Sequence, residues 1–180
     1  MSRLPVASLA VLMLAAACTP RRAAEGQQQE EPPPQVVLYG ARMESYEGDR
    51  LTLSGTAERL TYQRAGGDVQ GTHATLKVPP GPNAQGGSGG VVVSAPNMEG
   101  SLASKQMVGS GGVVIRTGEG MVARTPRLTY DANTRQAKGN EGVTVTGPDY
   151  RMRADRFELS LPDETFTFDG SVETVLGATE

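Results

Sequence analysis

One short phrase recurs along this chain at intervals of about thirty residues, and that recurrence limits the possible folds more than any other feature of the sequence. Its clearest copy is Arg127-Leu128-Thr129-Tyr130, then Ala137-Lys138-Gly139, then Gly142-Val143-Thr144-Val145. Upstream stand Met98 and Gly100, then Met107-Val108-Gly109, then Gly112-Val113-Val114-Ile115. Downstream stand Arg156-Phe157-Glu158-Leu159, Phe166 and Val172, and Arg59-Leu60-Thr61-Tyr62 repeats the opening phrase once more. A unit this short cannot bury its apolar face alone, so successive units must stack and share one core.

From Val36 onward apolar residues alternate with period two between clusters of Gly, Asn, Asp and Pro, and no segment holds a helical period. The recurring Gly100, Gly109, Gly112, Gly139 and Gly142 read as turn residues. The expected fold is all-β: one quasi-repetitive antiparallel domain over 36–176, with 177–180 a disordered tail. Pro79 to Gly90 offers nothing to bury and reads as a mobile loop. It lacks the following helix and Lys-Ser/Thr that a phosphate cradle needs.

Composition removes several function classes. One Cys excludes an intramolecular disulfide, and one Cys with one His cannot supply a zinc site. A net charge of −3 argues against nucleic acid as a partner. Aromatics are 4 %, too few for the tight core of an ordinary enzyme. His73 stands alone, and Asp149, Asp155, Asp163, Glu164 and Asp169 fall in turns, so no catalytic constellation emerges and no cofactor is expected.

The chain opens with Arg3 and an apolar run from Val6 to Ala17 that ends Leu14-Ala15-Ala16-Ala17-Cys18. Twelve apolar residues fall short of the roughly 20 needed to span a bilayer as a helix, so 1–17 reads as a secretory signal. The small residues before Cys18 resemble a bacterial lipobox, with Ala15 where that motif prefers Leu. The resemblance implies that Cys18 is lipidated and becomes the mature N-terminus. The alternative is a signal cut near Ala17 that leaves a free thiol, a liability in an oxidising compartment. The Gln- and Pro-rich stretch 18–35 then forms a flexible tether.

Two stretches carry a wider resemblance: Gly112 to Asp131 with Gly139 to Val145, and Tyr46-Glu47-Gly48-Asp49 with Ala57 to Tyr62. Together they resemble the OstA-like β-jellyroll family of lipopolysaccharide transport, in particular its LptC-like members. The resemblance implies an incompletely closed jellyroll with open edges. It implies a protein that takes lipopolysaccharide from an inner-membrane ABC transporter and passes it to an LptA-like bridge protein, with edge strands docking by β-augmentation. It also implies a periplasmic, membrane-tethered location. The family favours the inner membrane, whereas Thr19 after the lipobox Cys favours the outer one.

An acyl chain cannot cross the periplasm unshielded, so such a fold needs an apolar groove. The candidate lining positions are the repeated apolar ones: Leu51, Leu53, Leu60, Tyr62, Leu76, Val91, Val93, Met98, Met107, Val113, Ile115, Leu128, Tyr130, Val143, Val145, Phe157, Leu159, Phe166, Phe168 and Val172. The rival readings are a scaffold lipoprotein whose β-repeats bind a protein or cell-wall partner, and an LptA-like bridge component.

Overall fold

The computed structural model describes residues 34–80, 89–163 and 165–177. The expected signal segment, Cys18, nearly all of the tether, the middle of the Pro/Gly loop and residues 178–180 lie outside the described residues. Twelve strands form one antiparallel sheet: β1 (Gln35–Glu47), β2 (Arg50–Gln63), β3 (Asp68–Val78), β4 (Val91–Ser101), β5 (Gln106–Thr117), β6 (Val122–Asp131), β7 (Gln136–Gly139), β8 (Val143–Thr146), β9 (Tyr150–Ala154), β10 (Arg156–Ser160), β11 (Thr165–Asp169) and β12 (Glu173–Leu176). The all-β, antiparallel architecture expected from the sequence is the one observed. The sheet is not closed, because β1, β11 and β12 each have one paired neighbour.

Breaks in register line up across the sheet. Gly40 lies unpaired between the pairs Tyr39–Arg59 and Ala41–Ala57. The β2–β3 ladder skips from Thr56–Thr75 to Arg59–Thr72, and its bend places His73 at φ +47°. The β4–β5 ladder shifts between Ser94 and Asn97, and the β5–β6 ladder shifts between Ser110 and Val113. At that second shift Gly111 and Gly112 take φ +85° and +101°, a backbone that a residue with a Cβ rarely adopts.

Beyond β6 the breaks become complete. Strand β6 pairs β8 through Val122–Arg124 and β7 through Thr129–Asp131, so β7 and β8 are halves of one interrupted strand. Asp155 separates β9 from β10, and Gly170 to Val172 separate β11 from β12. The breaks define one crease, and the sheet folds along it into two leaves. The first leaf runs through Tyr62, Gly100, Tyr130 and Leu159, and the second through Leu76, Ile115, Val145 and Met152.

This geometry explains the sequence repeat. Each strand with its turn takes about fifteen residues, so the chain returns to the same leaf and face after two. Met98, Leu128 and Phe157 are therefore equivalent positions, and all three are buried in the first leaf.

Because the inward faces of both leaves are apolar, they cover each other. Val91, Val113, Ile115 and Val145 of the second leaf share one buried cluster with Leu128, Ala137, Phe157 and Leu159 of the first. A smaller cluster joins Ala57 and Ala74 to Met98. The glycine expectation needs correction here. Gly100 and Gly109 lie inside β4 and β5, and Gly139 ends β7, so none is a hairpin turn. They make room for neighbours: a Cβ on Gly100 would stand 2.9 Å from the Gln106 carbonyl oxygen, and one on Gly139 would collide with the Phe157 ring.

Burial predicts an uneven response to truncation. Leu159→Ala should lose about 2–5 kcal/mol of unfolding free energy by urea denaturation, and Gly139→Ala about 1–3 kcal/mol through overpacking. Leu60→Ala, on a half-buried position, should lose only about 1 kcal/mol. Equal losses for Leu159 and Leu60 would contradict the uneven core.

Candidate functional site

The first leaf from β6 onward packs closely against β4, β5 and the later strands of the second, and the leaves separate toward β1. In β2 to β4 the inward positions that border the gap include the small residues Gly55, Gly71 and Gly100. The result is a cavity of about 870 Å³, within the size range of small-molecule sites and bordered by residues of both leaves.

The expected lining residues divide into groups. Leu51, Leu53, Leu60, Tyr62, Leu76, Met98, Met107 and Tyr130 border the cavity. Val91, Val113, Ile115, Leu128, Val143, Val145, Phe157 and Leu159 are buried in the packed cluster, with Val93, Phe166 and Phe168 against it. Val172 lies at the crease and is 49 % exposed. The stacked rings of Phe157, Phe166 and Phe168, with centroids 6.3 and 5.9 Å apart in sequence, belong to the filled end.

The sequence reading missed the contribution of β1. Val36 and Leu38 border the cavity, as do Ala41 and Met43 after a phase change at Gly40. The signal was present as two short alternations, but the break at Gly40 hides their common face. Thr52 also borders the cavity, at the end of the hairpin where the β1–β2 register shifts between Ser45 and Tyr46. Its hydroxyl donates to the Ser45 carbonyl at 3.0 Å.

The cavity rim is cationic, bearing Arg42, Arg50, Lys105 and Arg135. Glu47 at the end of β1 accepts from Arg50 at 3.0 Å and from Arg135, in the turn after β6, at 3.3 Å. The second contact joins the two leaves at their free ends. Hydrogen bonds from Arg135 and then Arg50 hold the Glu47 carboxyl below its ordinary value. Burial pushes the Tyr130 phenol up, against a smaller opposing effect of Arg135. Among the described residues, no group of three or more His, Cys, Asp or Glu stands close enough to hold a metal ion.

These features define a class: an all-β protein whose single creased sheet encloses an apolar space with a basic rim. Residues 7–177 match the family described as lipopolysaccharide-assembly, LptC-related. The chain belongs to that family. Among solved structures, it is similar to LptH of Pseudomonas aeruginosa, described as the LptA-homologous periplasmic component of the conserved lipopolysaccharide transport device. That similarity has 8 % identity and a TM-score of 0.31, and it covers 80 % of this chain and 95 % of LptH. No curated protein matches the chain.

The Glu47–Arg135 contact is exposed, so it adds little to the stability of the fold, and it bridges the free ends of the leaves beside the cavity. Arg135→Ala should leave the urea midpoint unchanged and speed uptake of a fluorescent apolar dye several-fold at neutral pH. Because the Glu47 pKa is depressed by folding, the contact is present above the ordinary value of 4.5 and is lost as pH falls through the lower folded value. Dye uptake by the wild type should therefore accelerate only once pH falls past the ordinary carboxylate value to that lower one, with a smaller change in Arg135→Ala. Identical pH profiles would refute the mouth contact.

Proposed function

We propose that this protein is a membrane-tethered periplasmic carrier that holds the acyl chains of lipopolysaccharide between its two leaves during transport across the envelope. The observation that carries this reading is the pairing of an apolar cavity with a basic rim. An anionic amphiphile needs both: aliphatic walls for its chains and cations where its phosphates meet water. Leu, Val and Met supply walls that adapt to a flexible chain. Membership in the lipopolysaccharide-assembly family supports the same ligand.

The open edges supply the path in and out. Strand β1, with Leu38, Tyr39, Met43 and Tyr46 exposed, borders the cavity and offers unpaired backbone groups to the periplasmic part of an inner-membrane ABC transporter. The C-terminal edge offers a second such surface to an LptA-like bridge protein. The chain does no chemistry in this reading, and the energy for movement comes from the transporter. Cys18 carries the lipid anchor, and 18–35 lets the domain stand off the membrane. The inner membrane fits the transporter partner.

Photo-crosslinking residues at Leu53, Leu60 and Met98 should give lipopolysaccharide adducts in live cells, whereas one at Val145 in the packed cluster should not. Crosslinks to proteins alone would overturn the carrier reading in favour of a scaffold. Separately, Cys18→Ala should abolish acylation and release the domain from membranes. A substituted chain of unchanged mass that stays membrane-bound would contradict the anchor.

A further inference from the structure

The outward faces of the two leaves differ in charge, in a way the cavity does not use. On the second leaf, Lys77, Arg116 and Arg151 fall in one outward row, linked through Val92, Val122 and Thr146. Arg124 and Arg153 fall in the next row, on either side of Thr144. All five side chains are exposed, and among the described residues none of them makes an ion pair. Between β2 and β9 these two rows contain no Asp or Glu; Glu44 on β1 and Glu173 on β12 mark their ends. Glu141 borders the rows at the crease, and Glu119 and Asp149 lie in end turns.

The first leaf is built differently. Its outward rows interleave acids with cations: Lys138 pairs with Glu158 at 3.1 Å and Arg156 with Asp169 at 2.6 Å. Glu99 stands on β4 between the rows' ends, although Arg59 and Arg127 there have no ion-pair partner among the described residues. In a chain of net charge −3, five unmatched cations on one face are not a consequence of overall composition. Like charges on neighbouring strands repel, so the arrangement weakens the free domain unless an outside anion neutralises it.

The spread identifies the anion. With strands roughly 5 Å apart, the cations from β3 to β9 extend over about 25 Å. One small ligand cannot neutralise them together, whereas an array of headgroups can. We propose that the outer face of the second leaf rests on an anionic phospholipid bilayer and so orients the domain on its membrane. This goes beyond the carrier reading and does not rest on the cavity. Each basic side chain near an anionic leaflet raises binding about fivefold.

The test uses the full chain and two kinds of vesicle, pure phosphatidylcholine and phosphatidylcholine with phosphatidylglycerol. The quantity read is the ratio of binding to anionic over neutral vesicles, which removes the contribution of the N-terminal apolar segment. The wild type should show a large ratio that collapses on raising salt from 0.05 to about 0.5 M, since the Debye length shortens. The triple variant Arg116→Ala, Arg151→Ala, Arg153→Ala should lose about a hundredfold of that ratio. A control that removes equal charge from elsewhere, Arg59→Ala, Arg64→Ala, Lys138→Ala, should stay within about twofold of wild type, with circular dichroism verifying that both variants fold. Equal losses in both variants would show that net charge matters and not this face. A wild-type ratio near one would leave the face to an acidic protein and overturn the proposal.

Discussion

The fold depends on the need of one sheet to cover its own apolar face. No helix is present among the described residues to do it, so the inward rows of β1 to β12 can leave water only by meeting each other. The crease allows that meeting. Where Gly111 and Gly112 take positive φ, and where β7 parts from β8, the ladder gives up hydrogen bonds locally so that the sheet can turn back on itself. Burial of Ile115 and Val145 against Leu128 and Leu159 repays the loss.

That self-covering is complete at one end only. Phe157, Leu159 and Ile115 fill the space between the leaves at one end, whereas around Leu60 and Leu76, beside Gly55, Gly71 and Gly100, it stays unfilled. The filled end holds the leaves together and the unfilled end supplies the cavity. An unfilled apolar space is a cost to stability in a protein that has no ligand for it. In the carrier proposed above, that cost has a purpose: room for the acyl chains of an amphiphile.

Much of this was legible in the sequence. Period-two alternation gave the strands, and the recurrence of Leu128 at Phe157 and Met98 gave the inward positions, because each marks one return to the same leaf. The partition between packed core and cavity was not legible. Leu60 and Leu128 occupy the same place in the repeated phrase and each pairs with a glycine, Gly71 and Gly109. Yet Leu128 is packed with Ile115, Phe157 and Leu159 while Leu60 borders the cavity, a difference set by the residues that the fold brings opposite from far away in sequence. Gly100, Gly109 and Gly139 were read as turns because short-range patterns assign Gly to turns first, whereas they stand in strands. The inward face of β1 was hidden for a different reason, since the phase change at Gly40 splits that face into two fragments. The charge contrast between the two outer faces needs strand register and cannot be seen until the rows are aligned.

The central claim is that lipid occupies the unfilled space between the leaves. Gly71 tests it directly, because a Cβ there would meet neighbours only at ordinary contact, with the Arg59 carbonyl oxygen and Leu60 Cδ1 each at 3.7 Å. Gly71→Phe should send a ring into the cavity without collision. Native mass spectrometry of the purified chain with lipopolysaccharide should then show the complex reduced at least tenfold relative to wild type, while the urea midpoint holds or rises. Unchanged lipopolysaccharide binding by a folded Gly71→Phe protein would contradict the claim.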